Sequence, residues 1–478
     1  MPPSPERSAD KNPDAFRLQM DSVRRASVVW ANTPLTHRLD SVRRFRHQLI
    51  ESADEFIAAC SHLPHRCAGE TLAAEIIPLA DAAKFLELNA KHILAATSIR
   101  AWGLRIMTER RPLGTIVIVG PGNYPLFLPG VQVLQALAAG NGVILKPGRE
   151  GTRAALCLQN ALTAAGVPDH VFEVIPEAIE GVQRVISAGV DKVIVTGSQR
   201  TGRAIAALIA ASRPTATVME LSGADAAIVL RGADIQRAAD AVAFGLTFNG
   251  GNTCMVPRRI WVDQSLAESF VNALRKSLQQ SPTIDLHPSD SEAISSMVDA
   301  AMRDGASIIC GRWDRQSHLG PLVLGGILKP AQLPGADVPG PVAGLWTFRD
   351  IDDLYDLYAD CPMRLGASIF GPSEAAMSVA EKIDAGCICI NDLLAPTGHP
   401  AVTLSPRKDS GYGATRGAAG LLEMTSPVSV IERTGAFLPH LLRRNVENED
   451  QLKNIMRLKH APGVTQKLAA MLRIIKGR

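Results

Sequence analysis

The spacing of apolar positions changes character along the chain. Over Ala15–Ala59 they recur at helical intervals with arginines on the opposite face, predicting helices after a loose polar tail, Met1–Pro13. Glu70–Ala101 continues the helical pattern, with a break or kink near Pro78 and an end near Trp102-Gly103. From Thr115 the pattern alternates between short β-branched runs and helical stretches: Thr115–Val119, Leu126–Ala139, Gly142–Leu145, Thr152–Ala165, Val171–Ile175, Ile179–Ser187, Lys192–Val195, Arg203–Ala211 and Thr215–Met219. Such alternation requires right-handed crossovers and predicts a doubly wound parallel sheet, with ligands at the carboxyl ends of its strands. A second α/β set follows Glu220, with strands at Ala226–Leu230, Arg259–Val262, Leu365–Phe370 and Cys387–Ile390. Its helices fall over Ile235–Phe248, Leu266–Gln279 and Asp290–Arg303. The expected fold is α/β, with two doubly wound parallel-sheet domains. Cys387 and Cys389 alternate with isoleucines on one strand and are expected in its core. Pro427–Glu432 reads as a further strand. Beyond it, Ala436–Arg478 is basic, with Val464, Leu468, Met471, Leu472 and Ile475 at helical spacing beside Lys467, Arg473, Lys476 and Arg478.

Composition narrows the function. With 478 residues, 46% of them hydrophobic, the chain can fill two or three cores. A net charge of +3 over that length gives no nucleic-acid footprint and favours small-molecule partners. The N-terminus has no apolar leader, and the eight scattered cysteines lack a disulfide framework, so a cytoplasmic protein with free thiols is expected. The cluster Cys60-Ser61-His62-Leu63-Pro64-His65-Arg66-Cys67 crowds its ligands around a proline without the spaced pairs of a zinc site, and no metal is expected.

No GxGxxG follows the first strand, and no GxxxxGK[ST] occurs in this layer. The candidate phosphate cradle is Thr196-Gly197-Ser198-Gln199-Arg200-Thr201-Gly202, a strand-to-helix turn whose glycines admit close approach to backbone N–H groups. Cys254 ends the small, polar run Asn249-Gly250-Gly251-Asn252-Thr253, where a thiolate can react, and Glu220 follows a β-like run, where a carboxylate can act as general base. Alone, a cysteine is more often a small buried hydrophobe than a nucleophile; its context decides.

Over roughly Glu70 to Arg433 the sequence resembles the aldehyde dehydrogenase superfamily. Pro121-Gly122-Asn123-Tyr124-Pro125 is similar to that family's Pro-Trp-Asn-aromatic-Pro, and Ala139–Pro147 to its Ala-Gly-Asn-x-Val-x-x-Lys-Pro strand. Thr196-Gly197-Ser198 with Gly202 resembles its Thr-Gly-Ser-x-x-x-Gly turn, Glu220-Leu221-Ser222-Gly223 its Glu-Leu-Gly-Gly, and Asn249–Cys254 its Asn-x-Gly-x-x-Cys. The interval 254 − 220 = 34 is also the family's.

The resemblance implies Cys254 as nucleophile towards a small-molecule aldehyde, Asn123 and the Cys254 N–H as oxyanion donors, and Glu220 as the base that activates hydrolytic water. It implies NAD(P) as cofactor, held by Lys146, Thr196, Gly197, Ser198, Gly202, Leu221 and Asp337. Arg149 stands where many NAD-preferring members carry a glutamate; a guanidinium beside the ribose 2′ position leans the choice to NADP. Asp337-Val338-Pro339 departs from the family's Glu-x-Phe. Tyr124, Phe248, Thr253 and Met255 are expected along the substrate path, and Arg258 and Arg259 in the scaffold or on the surface.

The implied organisation is a cofactor domain over 1–92 and 115–220, a catalytic domain over 221–426, an oligomerisation arm over 93–114 and 427–433, and a basic extension over 436–478. A homodimer or homotetramer follows from the arm. The extension's stripe is expected to face a core across a subunit boundary, with weak membrane-surface adsorption as its other use. Two further readings stand beside hydrolytic oxidation: a coenzyme A-dependent acylating enzyme, against which Glu220 argues, and a cofactor-binding scaffold without turnover.

Overall fold

The computed structural model describes residues 13–63, 66–281, 283–313, 318–326, 340–435, 438–441, 443–444 and 446–476. The chain forms two compact units, one of Met1–Leu94 with Arg110–Ser426, the other of Ala95–Glu109 with Pro427–Arg478.

The large unit holds two sheets. In the first, the strand order is Gly411–Tyr412, Ala216–Glu220, Lys192–Thr196, Thr115–Val119, Gly142–Lys146 and Phe172–Val174, all parallel except the first. Strands covered on both faces are apolar throughout, and Ile116, Val117, Ile118, Val143, Leu145 and Val193 are fully buried. The chain builds outward from Thr115–Val119 in one direction and then returns to add Lys192–Thr196 on the other side. The loops after Val119 and Thr196 therefore leave the sheet at its switch point, where a crevice opens at the carboxyl ends.

The second sheet runs Ser307–Cys310, Leu322–Gly325, Val342–Phe348, Arg259–Asp263, Ala226–Val229, Gly366–Phe370 and Cys387–Ile390, with only the first strand antiparallel. Its edge strand differs from expectation in one respect: Cys389 is buried, whereas Cys387 is half-buried.

Helices Pro13–Asn32, Leu35–Glu51, Ala53–Cys60 and Ile77–Ile93 account for the N-terminal pattern. Pro78 sits in the first turn of the last of these, and a π-helical turn, Leu72–Ile76, precedes it. A proline that cannot donate to the preceding turn is accommodated there without a break.

In the small unit, Thr97–Ala101 is a strand and not the end of a helix, because Trp102 and Gly103 (φ 54° and 70°) make a tight turn that returns the chain antiparallel along Leu104–Pro112. Thr425–Arg433 completes a three-stranded sheet. Helices Glu449–His460 and Val464–Lys476 pack on each other, and Lys459 lies over the Trp102 ring at 4.9 Å. The stripe expected to face a core is exposed within the chain: Val464, Leu468, Met471, Leu472 and Ile475 are 46–73% exposed, and it is Ala470 that is buried.

Candidate active site

Glu220 is the last residue of its strand and is buried. Its Oε2 accepts the Thr415 hydroxyl at 2.5 Å, and its Oε1 faces the Cys254 thiol at 3.8 Å. The two oxygens thus have separate partners, one fixing the carboxylate and one meeting sulfur. Burial pushes the Cys254 thiol well above its ordinary pKa, and the negative charges of Glu220 and Asp225 add to the effect, with Arg416 opposing. The sulfur accordingly rests as a thiol, the smaller opposing effect of its own N–H notwithstanding.

Local sequence explains the turn that carries this cysteine. Asn249, Gly250 and Gly251 are all left-handed (φ 53°, 61° and 66°), a run that only glycine, or asparagine with a stabilising bond, sustains. At Gly251 a Cβ would meet the Pro341 Cα at 2.6 Å, and at Gly223 one would meet the Cys254 carbonyl oxygen at 2.5 Å. Arg258, buried, clamps the turn by donating to the carbonyls of Gly251 (3.0 Å) and Val342 (3.0 Å) and to that of Gly340. Its neighbour Arg259 donates to the Ala224 carbonyl at 2.7 Å and lies over Trp261. Both arginines belong to the scaffold, as expected.

Asn123 reaches the same turn from the loop after Val119. Its Nδ2 donates to the Asn252 carbonyl at 2.9 Å, and a second amide hydrogen is available to a ligand. Three residues that sequence reasoning did not single out hold this pair of loops. Arg66 Nη2 donates to the Asn123 carbonyl at 2.6 Å, and Asn249 Nδ2 donates to the same oxygen at 3.1 Å. Glu70 accepts the Asn249 N–H. Glu75, fully buried, pairs with Arg66 at 3.0 Å and accepts the N–H groups of Leu126 (3.2 Å) and Phe127 (2.6 Å). Burial lifts the Glu75 carboxyl, and Arg66 and the two N–H groups pull it back. The available signal was a glutamate inside the apolar run Leu72–Ile77, nine residues after an arginine and eight after a cysteine that carried no metal pattern.

Of the residues expected along the substrate path, Tyr124 and Thr253 are buried with their hydroxyls 2.9 Å apart, and Phe248 stacks on Phe244 at 4.9 Å. Met255 instead fills the space that Gly366 leaves, its Cε 2.4 Å from where a Cβ would stand, and belongs to the core.

The residues expected to hold a dinucleotide lie at the carboxyl edge of the first sheet. Lys146 ends its strand half-buried, its ammonium depressed by burial and partly restored by Glu177. Thr196 is buried and accepts from Gln132 at 3.0 Å. Ser198 is the N-cap of helix Gln199–Ala210, accepting the Thr201 N–H at 3.1 Å. That helix begins four residues before the expected Arg203, so the turn is itself the helix N-terminus. At Gly197 a Cβ would meet nothing closer than 3.7 Å, whereas at Gly202 it would strike Leu221 at 2.6 Å: Gly202 and Leu221 pack on each other and set the helix on the strand. Arg149 is partly exposed and paired with Asp290 at 2.8 Å. Asp337 lies outside the described residues. A half-buried ammonium and an open glycine turn at a helix N-terminus fit a diphosphate ligand. Among the described residues, no His/Cys/Asp/Glu group could hold a metal ion, and no helix is long and apolar enough to cross a membrane.

A thiol held against a fixed carboxylate, beside a switch-point crevice on paired parallel sheets, is the arrangement of a cysteine enzyme on an α/β scaffold. The chain belongs to the aldehyde dehydrogenase family, whose model matches residues 7–430; it is an oxidoreductase acting on aldehydes. It is 30% identical over 433 residues to a 4,4'-diapolycopene aldehyde oxidase of Methylomonas sp, covering 87% of this chain and 81% of the relative. It is 28% identical over 420 residues to a succinate-semialdehyde dehydrogenase [NADP(+)] of Deinococcus radiodurans (83% and 86% covered). Among solved structures, the succinic semialdehyde dehydrogenase of Streptococcus pyogenes in complex with NADP+ superposes with a TM-score of 0.82 at 21% identity (88% and 95% covered), a likeness of fold.

Proposed function

We propose that the protein oxidises an apolar aldehyde to the free carboxylic acid with NAD(P)+, preferring NADP+. The observation that carries this reading is the placement of Glu220 Oε1 3.8 Å from Cys254 Sγ while Thr415 holds the other oxygen. Lys146, Gly197, Ser198 and Arg149 would hold the cofactor, and bound nicotinamide supplies the hydride acceptor.

Every other task falls to the chain. Glu220 takes the thiol proton, which the raised pKa of Cys254 makes necessary at neutral pH. Sulfur adds to the carbonyl carbon, and the oxygen, now an oxyanion, is met by the Asn123 amide and the Cys254 N–H. Loss of the substrate's hydride leaves a thioester. Glu220, its proton first released to solvent water, deprotonates the water that attacks the thioester; the C–S bond breaks, Glu220 returns that proton to the leaving sulfur, and the acid and a thiol remain.

The apolar preference rests on how the nearby arginines are used. Arg66 is paired with Glu75, Arg258 clamps three carbonyls, and Arg416 donates to the Thr397 carbonyl at 2.7 Å while lying over Phe127. A semialdehyde's carboxylate would have to draw one of them from these partners. The Methylomonas relative, a 4,4'-diapolycopene aldehyde oxidase, supports the same class.

We read 93–114 with 427–433 as a subunit contact, which makes the enzyme a homodimer or homotetramer; exposed Ile99, Trp102 and Ile431 supply the apolar surface. The first sheet serves the cofactor and the second catalysis. Eight free cysteines suit the cytoplasm.

The test is purified protein against decanal and succinate semialdehyde, with each nicotinamide cofactor, with and without coenzyme A. Turnover of decanal without coenzyme A, abolished in Cys254→Ala, is the expected result. Turnover only with coenzyme A would replace hydrolysis by acyl transfer, and none in any mixture would leave a scaffold.

A further inference from the structure

Helix Val464–Lys476 presents an apolar face that the chain leaves uncovered. Val464, Leu468, Met471, Leu472 and Ile475 fall at i, i+4, i+7, i+8 and i+11, one side of a helix, and all five are exposed. The face turned towards helix Glu449–His460 is a different one, marked by Ala470 at 2% exposure and by half-buried Ile474. The family match ends at residue 430, so this helix lies outside what the family shares.

Charge decides what covers it. Residues 436–478 carry nine Lys and Arg against three Asp and Glu, a net +6, whereas the other 435 residues sum to −3. The helix itself has Lys467, Arg473 and Lys476 and no acidic residue. A second copy seated stripe on stripe would bring two cationic helices together, and the remainder of the chain is too weakly acidic to neutralise them. An anionic bilayer surface answers both halves of the pattern. Acyl chains take the leucines and isoleucine, and phosphates take the lysines and arginine, whose long stems let the charge reach outward. At 13 residues the helix is far too short to span, so it lies in the plane.

We propose that Val464–Lys476 is an in-plane anchor to anionic lipid surfaces. The inference is independent of the catalytic reading, since adsorption needs no turnover.

The experiment is flotation of the full chain with phosphatidylglycerol/phosphatidylcholine vesicles and with phosphatidylcholine vesicles alone, alongside light scattering of the protein without lipid. The expected result is binding to the anionic vesicles, weakened by added salt, with far less to the neutral ones. Leu468→Glu/Leu472→Glu, at exposed positions that leave the fold intact by circular dichroism, should lose binding with unchanged mass. Lys467→Gln/Arg473→Gln should weaken it about 25-fold, from roughly fivefold per charge near the surface. No flotation of the intact chain overturns the proposal. So does a fall in mass for Leu468→Glu/Leu472→Glu, which would assign the stripe to a subunit boundary, and so does binding that neither double variant changes.

Discussion

Arg66 Nη2 lies 2.6 Å from the carbonyl oxygen of Asn123, so a guanidinium from the connection after helix Ala53–Cys60 fixes the backbone of the residue assigned to meet the oxyanion. Its charge is held by Glu75 at 3.0 Å, with both side chains essentially inaccessible.

Arg66→Met should destabilise the fold by about 3–5 kcal/mol, because it leaves Glu75 buried and unpaired. Arg66→Met/Glu75→Gln should recover most of that loss in chemical denaturation, yet keep kcat roughly ten- to hundredfold down with KM for aldehyde little changed, a fraction of the cost of deleting an oxyanion donor. Full recovery of kcat in the double variant would reduce Arg66 to a structural role.

Glu220→Gln should slow the initial burst of reduced cofactor, since Cys254 loses the base that takes its proton, and should slow the turnover after it still more, since hydrolysis of the thioester needs the base again. Independently, its removal takes away the largest charge effect on Cys254, so the pH profile of iodoacetamide alkylation should move to lower pH. An unmoved profile would mean that the two side chains do not feel each other. Thr415→Val should slow the phase after the burst by roughly tenfold, as expected for one lost hydrogen bond to a charged group.

Arg149, proposed to meet the ribose 2′ phosphate of NADP+, is paired with Asp290, 2.8 Å away. Asp290→Asn removes the competing carboxylate and should lower KM for NADP+ several-fold while leaving that for NAD+ nearly unchanged. Arg149→Glu should reverse the preference, roughly ten- to hundredfold in the ratio of kcat/KM, by deleting a charge-assisted bond and adding repulsion. Equal ratios in parent and variants would leave Arg149 with its carboxylate partner alone.

Burial pushes the Asp225 carboxyl up to about 7, with the Gly366 N–H at 2.9 Å, Arg259 and Arg258 opposing. The folded chain holds this proton more tightly than the unfolded one. Its contribution to stability is therefore fully present below the unfolded value, about 4, and is lost as pH rises towards 7. Denaturation midpoints of the parent should fall relative to those of Asp225→Asn across that window and run parallel above it. Parallel curves throughout would show no linkage at this residue.

The motifs were legible because each is a local device. The Asn249–Gly251 turn and the strand-to-helix turn Thr196–Gly202 are written in neighbouring residues, and the strands of the first sheet and four of the second declare themselves by apolar runs. Arg66, Glu70, Glu75 and Thr415 were not legible, since each acts on a residue about 50 to 200 positions away and has an ordinary surface-type identity in its own segment. Thr97–Ala101 was misread for a related reason: a strand that pairs only with its own hairpin shows no buried face, and all five residues are exposed. Helical spacing at Val464–Ile475 correctly gave the helix, but spacing says which residues share a face and not what that face meets.

The contacts of Arg66 and Glu70 with the loops of Asn123 and Asn249 also order events in time. Ribosomal synthesis runs from the N-terminus, so these helices emerge long before the residues they secure, and they must wait through almost two hundred further positions for Asn249. The residues that lock the turn of Cys254, the proposed nucleophile, are thus made before it, and the thiol is pushed up by burial only when the earliest part of the chain closes over the middle. A nascent chain probed with a thiol reagent should carry an ordinary, reactive cysteine until that closure, and a slow one afterwards.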